Sequence, residues 1–203
     1  MRLRRLRPGG AIAAAGLASA LALAGCASGP APAAGGTPPA AAGFGWFRPG
    51  PPPGAWLRAS LSGQRATLFY PGTLRPEHSD PGTVTFGDTA RSGAVLAYLN
   101  VTPKQGNETL RNWPDFRIEH LREEGQRAVH LDGVSGPLSF RGGHGRCVMD
   151  SYTTGVHHNH YNEIACLVAG AHGTSVLVAA TSASAWQANH ALLEKVVSSY
   201  QAG

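Results

Sequence analysis

The chain has 203 residues, 42% of them hydrophobic and 14% charged, enough for one globular domain plus extensions. Its formal charge of +5 sits at the start: setting aside Arg2, Arg4, Arg5 and Arg7, the 17 basic residues fall to 13 against 12 acidic ones. Such a balanced remainder offers a phosphate backbone no basic footprint, which excludes nucleic acid as a partner.

The opening "MRLRRLRPGG" is a basic region, followed by a short apolar stretch, Ala11 to Ala24. That stretch is too short for a stable bilayer anchor and suits the apolar segment of a signal peptide. It ends Leu23-Ala24-Gly25-Cys26, which resembles the bacterial lipobox: an aliphatic residue, two small residues, then the cysteine that is lipidated. The resemblance implies a lipoprotein signal peptide over residues 1–25 and a diacylglycerol thioether, with palmitate-type chains, on Cys26. A thiol suits the step because the thiolate is a strong nucleophile. The membrane is then a partner through the lipid, and the exported chain is held on the outer face of the cytoplasmic membrane. The alternative is a plain signal peptide with a chance cysteine. Arg4-Arg5 permits twin-arginine export as well as the general secretory route.

Residues 26–54 read as the lipidated cysteine and a flexible Ala/Gly/Pro linker, since Ala27 to Gly43 has no large apolar residue to bury. The aromatics of "FGWFRPGPPPG", Phe44 to Gly54, are placed to dock first on a domain spanning residues 55–203. Period-two runs predict strands near Trp56–Leu61, Ala66–Tyr70, Thr83–Phe86, Ala94–Val101, Ala128–Leu131, Leu138–Phe140, Arg146–Tyr152, Tyr161–Val168 and Ser175–Ala180. Turn signals such as "YPG", "DPG", "RSG" and "LDG" lie between them. One helix is predicted over Trp113–Glu124, opened by Pro114 and closed by Gly125. A second, Ser184–Tyr200, places Trp186, His190, Leu193, Val197 and Tyr200 on one face; there His190 reads as a core histidine with a satisfied partner. The class is α+β, an antiparallel sheet with helices packed on it.

"LFYPGTL" (Leu68 to Leu74), the middle helix after a long strand, and "SASAWQANHALLEKVVSSY" after the strand "TSVLVAAT" together resemble a PsbP-type domain. The likeness covers most of Trp56 to Tyr200. It implies an antiparallel sheet sandwiched by helices, a fold carried by many actinobacterial lipoproteins of unknown role. "NVTPKQGNETL" (Asn100 to Leu110) also resembles a segment of actinobacterial secreted proteins. Plant members of the family assist the oxygen-evolving complex, but no motif here transfers that role, and fold alone does not carry function.

With Cys26 lipidated, Cys147 and Cys166 remain, an even pair in an oxidising compartment, so a disulfide is expected; two free buried thiols are the alternative. Both lie in strand-like runs flanking Gly155, facing each other across an antiparallel hairpin. That register sets Met149 opposite Ile164, Asp150 opposite Glu163 and Tyr152 opposite Tyr161, and centres the turn between Val156 and His157. One face then carries sulfur and aliphatic groups, the other two tyrosines and two carboxylates. Like charges directly opposite destabilise a sheet. Asp150, Tyr152, Tyr161 and Glu163 are therefore candidate ligand-binding residues, able to hold a cation, a basic ligand or a shared proton. The competing reading is an arginine from a neighbouring strand, Arg141 or Arg146, neutralising both carboxylates.

No catalytic motif is present: "GVSGP" and "GTSV" lack the nucleophile-elbow spacing, and there is no HExxH, P-loop or dinucleotide fingerprint. A non-enzyme without cofactors is expected. "GVHHNHYNE" (Gly155 to Glu163) offers His157, His158 and His160 as candidate metal ligands, His158 and His160 sharing a strand face as in an H-x-H pair. The same run is also the wet tip of the hairpin. The function expected is a membrane-anchored lipoprotein whose domain binds a protein or small ligand in the cell envelope; the alternative is metal binding or delivery through the histidine turn.

Overall fold

The computed structural model describes residues 43–203. The expected signal peptide, Cys26 and the linker up to residue 42 lie outside the described residues. In chain order the elements are β1 (Leu57–Leu61), β2 (Ala66–Tyr70), β3 (Arg75–Pro76), β4 (Val84–Thr89), β5 (Val95–Pro103), α1 (Trp113–Glu123), β6 (Arg127–Val134), β7 (Leu138–Phe140), β8 (Gly143–Thr153), β9 (His160–Gly170), β10 (Gly173–Ser182) and α2 (Trp186–Ser199). Strands β1 and β2 pair as a small ribbon. The other eight form one antiparallel sheet in the order β3-β4-β5-β10-β9-β8-β6, with β7 also on β8.

Strands β8, β9 and β10 are the longest apolar-rich runs and take the middle of the sheet. β8 and β9 pair from Gly143 opposite Gly170 to Thr153 opposite His160, in the register expected from the cysteines. Cys147 and Cys166 are fully buried facing partners joined by a disulfide. Alternate residues of these strands enter two separate clusters. Cys147, Ile164, Cys166, Leu177 and Ala179 pack with Leu193, Val196 and Val197 of α2. Val148, Ala165, Leu167, Val178 and Ala180 pack with Trp113 of α1. Period-two alternation sends the two sets to opposite faces of the sheet.

Helix α1 begins with Pro114 in its first turn, where the missing N–H has no intrahelical partner to lose. It stops at Gly125, whose φ of 83° permits the N–H of Gly125 to reach the carbonyl of Arg122 while that of Gln126 reaches Leu121. Among the described residues no helix is long and apolar enough to cross a membrane.

The core begins earlier than the domain start expected at residue 55. Phe44 and Phe47 are buried, Phe47 lies 4.9 Å from the Phe140 ring, and the N–H of Gly50 donates to the carbonyl of Ser198. The described end of the expected linker, residues 43–54, is thus packed against the domain, because its aromatics supply apolar area that the sheet face needs covered. Strand β3, not expected from sequence, is a two-residue pairing of Arg75 and Pro76 that extends the β4 edge.

Candidate functional site

The face shared with α1 carries one row of side chains across five strands. Tyr98 of β5 faces Ala180 of β10, which faces Glu163 of β9, which faces Asp150 of β8, which faces Leu131 of β6. The small side chain of Ala180 leaves nothing bulky between Tyr98 and Glu163. Over this row lies α1, seated by Trp113, which is 1% exposed and donates its indole N–H to the carbonyl of Ala165 at 3.1 Å. One helical turn on, Arg117 points the same way. Its Nε and Nη2 donate to Glu163 Oε1 at 3.0 and 2.5 Å, and its Nε lies 3.8 Å from Asp150 Oδ2.

The expected like-charge pair is present, but the cation that answers it comes from α1. Arg141 and Arg146, expected in that role, are elsewhere. Arg141 sits 6.0 Å over the Phe69 ring, and Arg146 donates to the carbonyls of Ser135, Leu110 and Arg111. The physical reason is the pleat. Arg146 shares the face of Asp150 but lies four residues along the strand, where the loop before α1 offers it two carbonyls and the end of β6 a third.

The guanidinium does not serve the two carboxylates equally: both of its hydrogen bonds go to Glu163. Asp150 and Glu163 are each 1% exposed, and neither Asp150 oxygen has a hydrogen-bond partner among the described residues. Burial and then the charge of Glu163 push the Asp150 carboxyl up to about 9; Arg117 opposes this, and Asp132 adds to it. Near neutral pH Asp150 therefore holds a proton while the Glu163 carboxylate takes the guanidinium. Burial works against the Arg117 charge, but Glu163 and Asp150 outweigh it and hold its pKa above the ordinary value. Tyr152 is raised, first by burial and then by Glu163, and so is Tyr98.

Between α1 and strands β5, β9 and β10 a cleft of about 650 Å³ opens to solvent. Tyr98, Asn100, Phe116, Arg117, Tyr152 and Glu163 line it, together with Asp80, Glu108, His120 and Glu124. Of the four candidate ligand-binding residues, Tyr152 and Glu163 line the cleft. Asp150 lies beside Glu163 without being a lining residue. Tyr161 is not a lining residue either; its ring stacks on Tyr152 at 5.7 Å. Tyr98, Asn100 and Arg117 escaped the sequence reading. Arg117 had a signal: it stands four residues after Trp113 and four before Leu121, inside the apolar stripe of the helix.

The candidate metal ligands are not gathered. His157 and His158 are exposed at the hairpin turn, His158 in the left-handed region at φ 54°. His160 is also exposed and has its Nδ1 2.9 Å from Thr153 Oγ1. Among the described residues no three His, Cys, Asp or Glu side chains come together as a metal site. On α2, His190 is half-buried rather than a core residue, and its Nδ1 lies 3.1 Å from the Trp186 carbonyl.

No family model matches the chain, and no curated protein matches it. Solved structures do. Cyanobacterial PsbP (CyanoP) from Synechocystis sp. PCC 6803 matches with a TM-score of 0.52 at 14% identity, over 73% of this chain and 93% of that one. The Ran-binding protein Mog1p of Saccharomyces cerevisiae matches at 0.49 and 11%, over 72% and 94%. LpqN of Mycobacterium tuberculosis, described as involved in cell envelope biogenesis, matches at 0.48 and 10%, over 72% and 90%. At such identities the likeness is one of fold, and the fold of this chain is PsbP-like.

Proposed function

We propose that the chain is a non-enzymatic lipoprotein, of the kind carried by actinobacteria, exported and anchored through a lipid on Cys26 to the outer face of the cytoplasmic membrane. Its PsbP-like domain, with the sheet sandwiched between α1 and α2, binds a small ligand or a protein partner of the cell envelope in the cleft beneath α1. The observation that carries the binding role is the cleft itself: a concave site of about 650 Å³, walled by aromatic rings and floored by a buried ion pair. The cleft hydroxyls of Thr85, Tyr98 and Tyr152 make no hydrogen bond to a carboxylate or imidazole among the described residues, which favours binding over acid–base or nucleophilic chemistry.

Two experiments on the full chain test this. Cys26→Ala is expected to move the chain from the membrane to the soluble fraction, and unchanged membrane association refutes the lipid anchor. A photo-crosslinking residue at Tyr98 is expected to capture an occupant that the same group at Leu57, exposed on β1, does not capture. Filling the cleft with Asn100→Trp should abolish that adduct. Equal labelling from both positions refutes the cleft as the binding site.

A further inference from the structure

A largely buried acid of the cleft keeps one oxygen free of protein donors. Glu163 is 1% exposed yet lines the cleft, and both Arg117 hydrogen bonds go to Oε1, so Oε2 has no hydrogen-bond partner among the described residues. Oε2 keeps access to the open side of the cleft, where a donor can enter. Asn100 gives its amide N–H to Thr85 Oγ1 at 2.9 Å, which leaves its carbonyl oxygen as a second acceptor.

The charge of the walls has the same sign. Arg117 is engaged by Glu163. Beyond that pair the lining holds the carboxylates of Asp80, Glu108 and Glu124, with His78 and His120 as imidazoles; His120 Nε2 lies 3.2 Å from Glu124 Oε1. Glu108 is held by the N–H groups of Gln105 and Gly106, so its charge is fixed beside the cleft. An incoming anion would meet these carboxylates, and the one guanidinium of the lining already has its charge paired with Glu163. A cation would meet acceptors, negative potential and the rings of Tyr98, Phe116 and Tyr152, whose faces attract positive charge. One free oxygen, rather than a two-oxygen fork, suits an ammonium better than a guanidinium.

Resting on the reading of the cleft as a binding site, we infer that its occupant presents an alkylammonium group that docks on Glu163 Oε2 between Tyr98 and Tyr152. The group belongs either to a free amine or to a lysine side chain of an envelope protein, and the two sources share this chemistry.

The test is calorimetric titration of the full chain at neutral pH with n-butylammonium, with N-acetyl-lysine methylamide, and with n-butanol and butyrate as neutral and anionic isosteres. Saturable binding of either cation, about tenfold or more tighter than the isosteres, is the expected result. Binding of the butyl probe alone identifies a small amine, and binding of the lysine probe alone identifies a protein side chain. Glu163→Gln should weaken the cation about tenfold; in that variant Asp150, 3.8 Å from Arg117 and released from the Glu163 charge that raises its pKa, can ionise as the counter-ion. Tyr98→Ala, at a side chain 37% exposed and so outside the core, should weaken it as well. Isosteres that bind as tightly as the cations overturn the ammonium while leaving the cleft a binding site. No saturable binding of either cation, or equal affinity in Glu163→Gln, overturns the inference; the photo-crosslink at Tyr98 then judges the cleft separately.

Discussion

Asp150→Asn isolates the second carboxylate of the buried trio and turns its protonation into a measurable slope. In the folded chain the carboxyl is 1% exposed, has no hydrogen-bond donor, faces Glu163 and lies 3.8 Å from a guanidinium already committed elsewhere. Its folded pKa is about 9, against about 3.9 in an unfolded chain. Between those values the folded state keeps a proton that the unfolded state has lost, so stability falls as pH rises. The slope from one such group is up to about 1.4 kcal/mol per pH unit, or about 2.7 kcal/mol between pH 6 and 8. Asparagine keeps the shape and cannot ionise, so the variant should lack this part of the slope and overtake the natural chain as pH rises. Urea unfolding of both chains from pH 5 to 8.5 measures it, and their difference cancels contributions common to the two. Parallel stability profiles would refute the assignment of a buried proton to Asp150.

Arg117→Met leaves the Glu163 carboxylate buried without a counter-ion and should cost about 3–5 kcal/mol, while adding Glu163→Gln should recover most of it; equal stability of the single and double variants in urea contradicts the pairing. Joint replacement of Cys147 and Cys166 by alanine opens a crosslink of sequence separation 19 and should cost about 3 kcal/mol in the same assay. Trp113→Ala, removing the 1% exposed indole that seats α1, should cost about 3–5 kcal/mol, and Trp113→Phe less, since it loses chiefly the hydrogen bond to Ala165. A Trp113→Ala chain as stable as the natural one would mean that α1 is held by something else.

The hairpin was legible in the sequence and the helix above it was not, for a physical reason. Antiparallel pairing is a rigid rule: once Cys147 faces Cys166, the pleat assigns every partner and every face, so Asp150 opposite Glu163 and Tyr152 opposite Tyr161 followed without coordinates. No such rule ties a helix to a sheet, because the rotation and slide of α1 depend on how Trp113 fits among Val148, Ala165 and Val178. Sequence spacing therefore points to Arg141 and Arg146, which the structure places in the β7–β8 turn and on β8 itself, and not to the fifth residue of a helix whose stripe holds Trp113, Arg117 and Leu121. Yet a lone arginine in an apolar stripe is costly unless a carboxylate waits opposite it, and a facing pair of buried carboxylates is costly unless a cation does. Each anomaly is the other's remedy. The two together predict that α1 lies over β8 and β9 with Arg117 above Glu163, which is the arrangement found. The same pairing leaves both Asp150 oxygens without a hydrogen-bond partner among the described residues. A fold selected for stability alone gains by replacing such a trio with apolar side chains of similar volume.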